Sequence, residues 1–280
     1  MSRTRGPPSD LAIVAIIPAR FGSTRLPGKP LSDIHGKTMI ERVWERARAA
    51  SLPERVLVAT DDERIAAAVR RFGGEAVMTS SAHATGTDRL AEAAGALDAD
   101  IVVNVQGDEP MLDPAGIDAA VRPLVEDPQL PVGTLSLPLV DVDEMLSPSV
   151  VKVVTDARGD ALYFSRSPIP HVRTPGGGLE EAARAALAKG LARKHVGLYA
   201  YRRAALLRFA ALPPAPLEQA EGLEQLRALH HGMRIRVVPV DGPGGVAVDT
   251  AEDLERVRAL LGPPALNSRK ESGCPPSTSS

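Results

Sequence analysis

The sequence predicts an α/β fold with a mostly parallel central sheet and helices on both faces. Three observations carry that expectation. Ile13–Ile17 is a continuous apolar run, as in a strand covered on both sides. Met39, Ile40, Val43, Trp44 and Ala47 fall at helical spacing, with Glu41, Arg42, Glu45 and Arg46 on the opposite side. Short apolar runs then alternate with helical stretches through the first half of the chain.

In order, Val56–Ala59 reads as a second strand, and Thr60-Asp61-Asp62-Glu63 as a capping-box start for the helix after it. Gly73-Gly74 ends that helix. Glu75–Met78 reads as a third strand and Ile101–Val105 as a fourth. The second half reads as richer in strands: Val132–Val140, Val151–Val154, Ala161–Phe164, Val196–Arg202 and Arg234–Val240, with fewer helices between them. Residues 173–190 read as a glycine-containing loop around an alanine-rich helical patch. A helix is expected over Glu221–His230 and a last one from Ala251 to Leu261, started by Asp249-Thr250.

Composition narrows the function classes. Of 280 residues, 44 % are hydrophobic and 24 % charged, ordinary values for a globular protein with a sizeable core. The net charge of −2 and the aromatic content of 3 % argue against a nucleic-acid partner. No apolar run approaches the roughly 18 residues needed to cross a bilayer, so no membrane insertion is expected. The single Cys274 permits no disulfide within the chain and fits a cytoplasmic setting.

The loop after the first strand, ARFGSTRLPGKPL, carries three cations, Arg20, Arg25 and Lys29, with no acidic residue between Arg20 and Pro30. Ligands of open α/β sheets bind at the carboxyl ends of strands. Cations placed there, with Gly22 and Gly28 for close backbone approach, suit a polyphosphate. The spacing is neither a Walker motif nor a dinucleotide fingerprint; the alternative is a solvated surface loop. At the end of the Ile101–Val105 run comes Gln106-Gly107-Asp108-Glu109-Pro110. Asp108 is a hard oxygen ligand suited to Mg²⁺, or else a cap for the turn before Pro110 with Glu109 as its solvated neighbour. Asp249 precedes a helix, and by residue type it reads first as an N-terminal cap, with a metal-ligand role as the alternative.

IIPARFGSTRLPGKPL resembles the signature loop of the 3-deoxy-manno-octulosonate (Kdo) cytidylyltransferases. The resemblance continues in order through ATDDERI, SAHATGTDRL, VNVQGDEPML, VKVV, ALYFSRSPIP, KHVGLYAYR, PLEQAEGLEQLR and VAVDTAEDLERV, over about residues 12–261. It implies a Rossmann-like nucleotidyltransferase fold with a smaller inserted sheet region. It also implies a homodimer using Mg²⁺ to join CTP and Kdo into CMP-Kdo and pyrophosphate, which activates Kdo for lipopolysaccharide synthesis. Residues 1–11 are then a disordered extension, 12–261 the cytidylyltransferase domain, with sugar-binding and dimerisation elements at about 132–240, and 262–280 a disordered tail.

The resemblance also assigns residues. Arg20, Lys29, Asp108 and Asp249 carry catalysis, with Asp108 and Asp249 as the metal carboxylates. Arg20, Gly22, Ser23, Arg25, Lys29, Thr85, Arg89, Gln106 and Asp108 bind the nucleotide. Gln106, Arg166, His195, Tyr199, Glu224 and Gln225 bind the sugar, Arg166 offering a planar fork to its carboxylate. Ala82 and Ala84 stand where the family commonly has polar residues, which shifts cytosine recognition toward backbone groups. Other readings are a CMP transferase for a related acidic sugar and a nucleotide-binding regulator without turnover.

Overall fold

The structure is a computed structural model that describes residues 11–22, 25–83, 85–242 and 244–262. The extension before Leu11, the tail after Gly262, Ser23 and Ala84 lie outside the described residues.

The chain opens with β1 (Ile13–Ala19), whose side chains alternate between two cores. Ile13, Ala15 and Ile17 pack on one side of the sheet, Val14 and Ile16 on the other. A continuous apolar run is what such a position requires. A hairpin of β2 (Asp33–Ile34) and β3 (Lys37–Thr38) leads into α1 (Met39–Arg48). There Thr38 accepts a hydrogen bond from the Glu41 backbone and starts the helix, and Arg46 and Arg48 complement its end. The buried stripe is Met39, Ile40, Val43 and Ala47.

Next come β4 (Arg55–Thr60), α2 (Glu63–Arg71), β5 (Glu75–Met78), α3 (Gly86–Gly95) and β6 (Ile101–Asn104). The start of α2 differs from expectation. Asp62, not Thr60, is the cap, accepting from the Arg64 backbone at 2.9 Å, while Thr60 closes β4 and accepts from Asp62 N. The second half adds α4 (Pro114–Glu126), β7 (Val132–Pro138), α5 (Val142–Leu146), β8 (Lys152–Thr155) and β9 (Ala161–Ser165). It continues with α6 (Leu179–Ala188), β10 (Arg193–Arg202) and α7 (Arg203–Ala210), then α8 (Pro216–Glu221), α9 (Gln225–His230), β11 (Ile235–Pro239) and α10 (Ala251–Leu261). It is therefore more helical than the sequence suggests. The helix expected over Glu221–His230 is broken: Gly222, at φ 62°, ends α8, and α9 begins three residues later.

Strand order is β11-β7-β10-β6-β1-β4-β5, with β8 and then β9 added beside β10. The run β6-β1-β4-β5 is parallel, β10 is antiparallel to both β6 and β7, and β11 is parallel to β7. The carboxyl ends of β1, β4 and β6 thus form one edge. Gly107 sits there because a Cβ would lie 2.8 Å from the Pro18 carbonyl oxygen. Among the described residues, no helix is long and apolar enough to cross a membrane.

Candidate active site

Two cavities open at this edge, of about 400 and 340 Å³, and both are bounded by Pro18, Gly86 and Gln106. The first is lined by Arg20, Arg25 and Lys29 from the opening loop, Thr85 and Arg89 at the start of α3, and Asp108 and Asp249. The loop is anchored by Phe21. Gly28, at φ 70°, lies close against that ring and donates its N–H to the Phe21 carbonyl, and the Arg64 guanidinium lies 3.4 Å from the ring centroid. Gly28 therefore closes the loop, and neither it nor the exposed Gly22 lines the cavity, contrary to their expected role beside the ligand.

Lys29 begins a single 3₁₀ turn, and its ammonium spends all three donors. It donates to Asp108 Oδ2 at 2.7 Å, to the Val248 carbonyl at 2.8 Å and to Asp249 Oδ1 at 3.3 Å. Arg25 pairs with the same Asp249 oxygen at 3.0 Å. The two carboxylates meet because the Val248 N–H bonds the Asp108 carbonyl, which ties the segment before α10 to the loop after β6. The helix-cap alternative for Asp249 fails on geometry. Thr250 is the cap, and Asp253 accepts from the backbone N–H groups of both Asp249 and Thr250, so the Asp249 side chain is left to face the cavity. Nor is Glu109 a solvated neighbour: burial first, and the adjacent Asp108 second, push its carboxyl up to about 7.

Two hard carboxylates beside open space for phosphate oxygens are a donor set that suits Mg²⁺, which takes one or two carboxylates and keeps other oxygens. Among the described residues no group of three or more His, Cys, Asp or Glu side chains is gathered as for a metal held by protein alone.

Thr85 and Arg89 reach the cavity wall but are engaged. Thr85 caps α3 in a reciprocal box with Asp88, and the buried Arg89 donates to Asp61 at 2.8 Å and to Thr79. Arg20 is exposed on the wall and makes no ion pair among the described residues. Arg20→Ala is therefore expected to leave the melting temperature unchanged. It should raise the nucleotide KM about 10- to 100-fold, the loss of a charge-assisted contact worth about 1.5–3 kcal/mol. Steady-state kinetics beside a thermal melt checks both halves.

The second cavity gathers four of the expected sugar-site residues, His195, Tyr199, Glu224 and Gln225, beside the shared Gln106. Gln106 donates to the Gly197 carbonyl at 3.0 Å, at an irregularity in β10 between Val196 and Tyr199. Although aromatic residues are scarce, Phe164, His195, Tyr199, Tyr201 and Phe209 form a row with successive centroids 4.9–6.2 Å apart. His195 Nε2 meets Thr134 Oγ1 at 2.9 Å, and burial pushes its pKa down to about 3, so the ring is neutral. The unfolded chain takes up a proton at this position below about pH 6.5, and the native state does not. Stability should therefore fall between pH 6.5 and 5 by at most about 2 kcal/mol through this residue. A His195→Asn variant should lose that part of the slope in denaturant titrations at the two pH values.

Glu224 accepts from Thr87 Oγ1 at 2.6 Å, and burial raises its pKa. Its Oε1 and the Oδ1 of Asn104 are buried without a hydrogen-bond partner. Both residues line the cavity, so it offers two unsatisfied acceptors for hydroxyl donors. Sequence reasoning missed Asn104. Its signal was a polar residue inside the apolar run Ile101–Val105, at the ligand edge of the sheet.

Arg166 corrects the expectation made for it, since it lines neither cavity. Its Nε donates to the Glu221 carbonyl at 2.7 Å, Nη1 to the Pro148 carbonyl at 2.9 Å and Nη2 to the Gly222 carbonyl at 3.4 Å. The fully buried Lys152 holds the Arg166 carbonyl in turn. The planar fork grips the break between α8 and α9, two residues before Glu224. Arg166→Lys is expected to lower the melting temperature and raise the sugar KM about tenfold, with one carbonyl contact retained of three. An arginine that only touched sugar would leave the melt unmoved.

Residues 14–235 match the cytidylyltransferase family model. The chain is 57 % identical over 251 residues to the 3-deoxy-manno-octulosonate cytidylyltransferase of Syntrophotalea carbinolica, covering 90 % of this chain and 99 % of that one. The chain belongs to the 3-deoxy-manno-octulosonate cytidylyltransferase family. Another member, from Geobacter sulfurreducens, is 56 % identical over 89 % of this chain and 99 % of its own. Among solved structures, a CMP:2-keto-3-deoxy-manno-octonic acid synthetase complexed with CTP is 47 % identical. It superposes with a TM-score of 0.81, covering 89 % of this chain and 98 % of that one. The 4-diphosphocytidyl-2C-methyl-D-erythritol synthase of Anaerococcus prevotii, 13 % identical with a TM-score of 0.58 over 90 % of this chain and 96 % of that one, shares the fold.

Proposed function

We propose that this member of the family transfers CMP from CTP to Kdo, releasing pyrophosphate. The observation that carries the reading is the pair of cavities meeting at Pro18, Gly86 and Gln106: one cationic with two carboxylates, the other uncharged but for Glu224 and rich in hydrogen-bonding groups. Arg20, Arg25 and Lys29 take the triphosphate, and the first turn of α3 adds backbone N–H groups on the same wall. Asn104, Glu224, Gln225, Tyr199 and His195 take the hydroxyls of the sugar. Gln106, on the common boundary, sets the anomeric hydroxyl against the α-phosphorus. That hydroxyl attacks in line with departing pyrophosphate, and positioning with charge stabilisation supplies most of the rate.

Mg²⁺ held by Asp108 and Asp249 would neutralise charge on the transferring phosphoryl group and the leaving pyrophosphate. The neutral His195 is not called on to move a proton, and no covalent enzyme intermediate is needed. Family membership supports a homodimer and a cytoplasmic setting; sedimentation of the purified protein checks the first.

The test is pyrophosphate release with CTP, ATP or GTP against a panel of Kdo, an amino-substituted Kdo and a sialic acid, in Mg²⁺. CTP with Kdo is expected to dominate. Equal turnover with a sialic acid, or none with Kdo, would reject the substrate assignment.

A further inference from the structure

Asp108 and Asp249 share one cation that the chain itself supplies. The Lys29 ammonium lies within 3.3 Å of both carboxylates and 2.8 Å from the Val248 carbonyl, and its side chain is only 15 % exposed. Three oxygens around one small cation form a shell like the one a hard divalent ion would use. Arg25, on the same Asp249 oxygen, is 64 % exposed and more easily displaced. The other cavity-facing arginines leave the two carboxylates alone: Arg20 makes no ion pair among the described residues, and Arg89 is committed to Asp61.

The geometry points to Lys29 as a built-in stand-in for the divalent cation, which holds the two carboxylates together and competes with metal for them until nucleotide arrives. A divalent ion and the ammonium compete for the same oxygens, so metal entry has to release Lys29 from at least one carboxylate. The released ammonium needs a new anion, and in this cavity a nucleotide phosphate is the group that can supply one. Metal and CTP then favour each other through one side chain, and by linkage the coupling is equal in both directions. Lys29 and Arg25 offset the two carboxylates when no metal is bound, and with metal and nucleotide both bound they offset part of the phosphate charge instead. The inference rests on reading the first cavity as a metal-assisted nucleotide site.

The distinguishing signature is an opposite effect of one substitution on two ligands. Mn²⁺ binding without nucleotide, followed by electron paramagnetic resonance of the free ion, and CTP binding in Mg²⁺, followed by calorimetry, are compared for wild type and Lys29→Met. Lys29→Met is expected to tighten Mn²⁺ at least tenfold and weaken CTP at least tenfold. A merely structural lysine would weaken both. Mn²⁺ affinity that is unchanged or weaker in a folded variant overturns the inference while leaving CMP-Kdo synthesis by the wild type in place. Conversely, a wild type that makes no CMP-Kdo leaves the Mn²⁺ comparison readable.

A second measurement needs no variant. In reductive methylation read by mass spectrometry, saturating Mg²⁺ alone should raise the labelling of Lys29 several-fold and leave the surface Lys37, paired with Glu45, unchanged. Equal Lys29 labelling with and without Mg²⁺ overturns the inference.

Discussion

Asp249→Asn is expected to reduce turnover about a hundredfold or more while the melting temperature moves little. The structure separates the two halves of that result. Folding does not depend on the Asp249 side chain, because α10 is started by Thr250 and Asp253, and asparagine would in any case cap as well as aspartate. Its ion pairs with Arg25 and with Lys29 are partly exposed and contribute about 0–1 kcal/mol each. What the substitution removes is one of the two carboxylates that line the cationic cavity among the described residues. Changes even to groups that merely support a metal ligand cost about 10- to 100-fold. Asp108→Asn should behave alike, with turnover in both variants recovering in part at high Mg²⁺. Near-normal activity of Asp249→Asn at low Mg²⁺ would remove that residue from the metal shell and leave Asp108 alone there.

Glu224→Gln is expected to act in opposite directions on function and stability. The wild-type carboxylate is largely buried, keeps one bond from Thr87, and leaves Oε1 unpartnered, with Arg227 no closer than 3.5 Å. A buried charge with an unmet oxygen costs free energy in the empty protein, and a neutral isostere relieves it. Each kcal/mol recovered would raise the melting temperature by about 2–4 °C in a chain of this size. The sugar KM should rise about 10- to 100-fold, because a hydrogen bond to a charged acceptor is worth about 1.5–3 kcal/mol. CTP binding should stay as it is. A variant that loses stability while keeping its sugar KM would show that Glu224 serves the fold through Thr87.

The α/β class, the buried opening strand and both ends of the last helix were legible in sequence, because β1, β5 and α10 are defined by local pattern. So were the cationic loop and Asp108, whose chemistry is unusual for the end of a buried strand. The break at Gly222 was not legible. One glycine inside an amphipathic stretch is compatible with a continuing helix; the positive-φ end is held by backbone bonds to the Glu218 carbonyl together with tertiary contacts from Arg166. The backbone role of Arg166 is hidden for a related reason. A planar fork suits a carboxylate ligand and three backbone carbonyls equally, and residue type cannot tell them apart. Asn104 was overlooked because strand periodicity absorbs a single polar residue; its meaning comes from β10 and α9 closing a cavity around it. Family resemblance supplied Asp249, where helix-start chemistry alone pointed toward a cap.

On the proposed function, the two adjoining cavities join one CTP to one Kdo. The most direct test is ³¹P nuclear magnetic resonance of the purified protein with CTP, Kdo and Mg²⁺. A new phosphodiester resonance of a CMP-sugar and an equal amount of pyrophosphate are expected, both absent when Kdo is left out. Pyrophosphate released at the same rate without sugar, or unchanged CTP with sugar present, would contradict the proposed function.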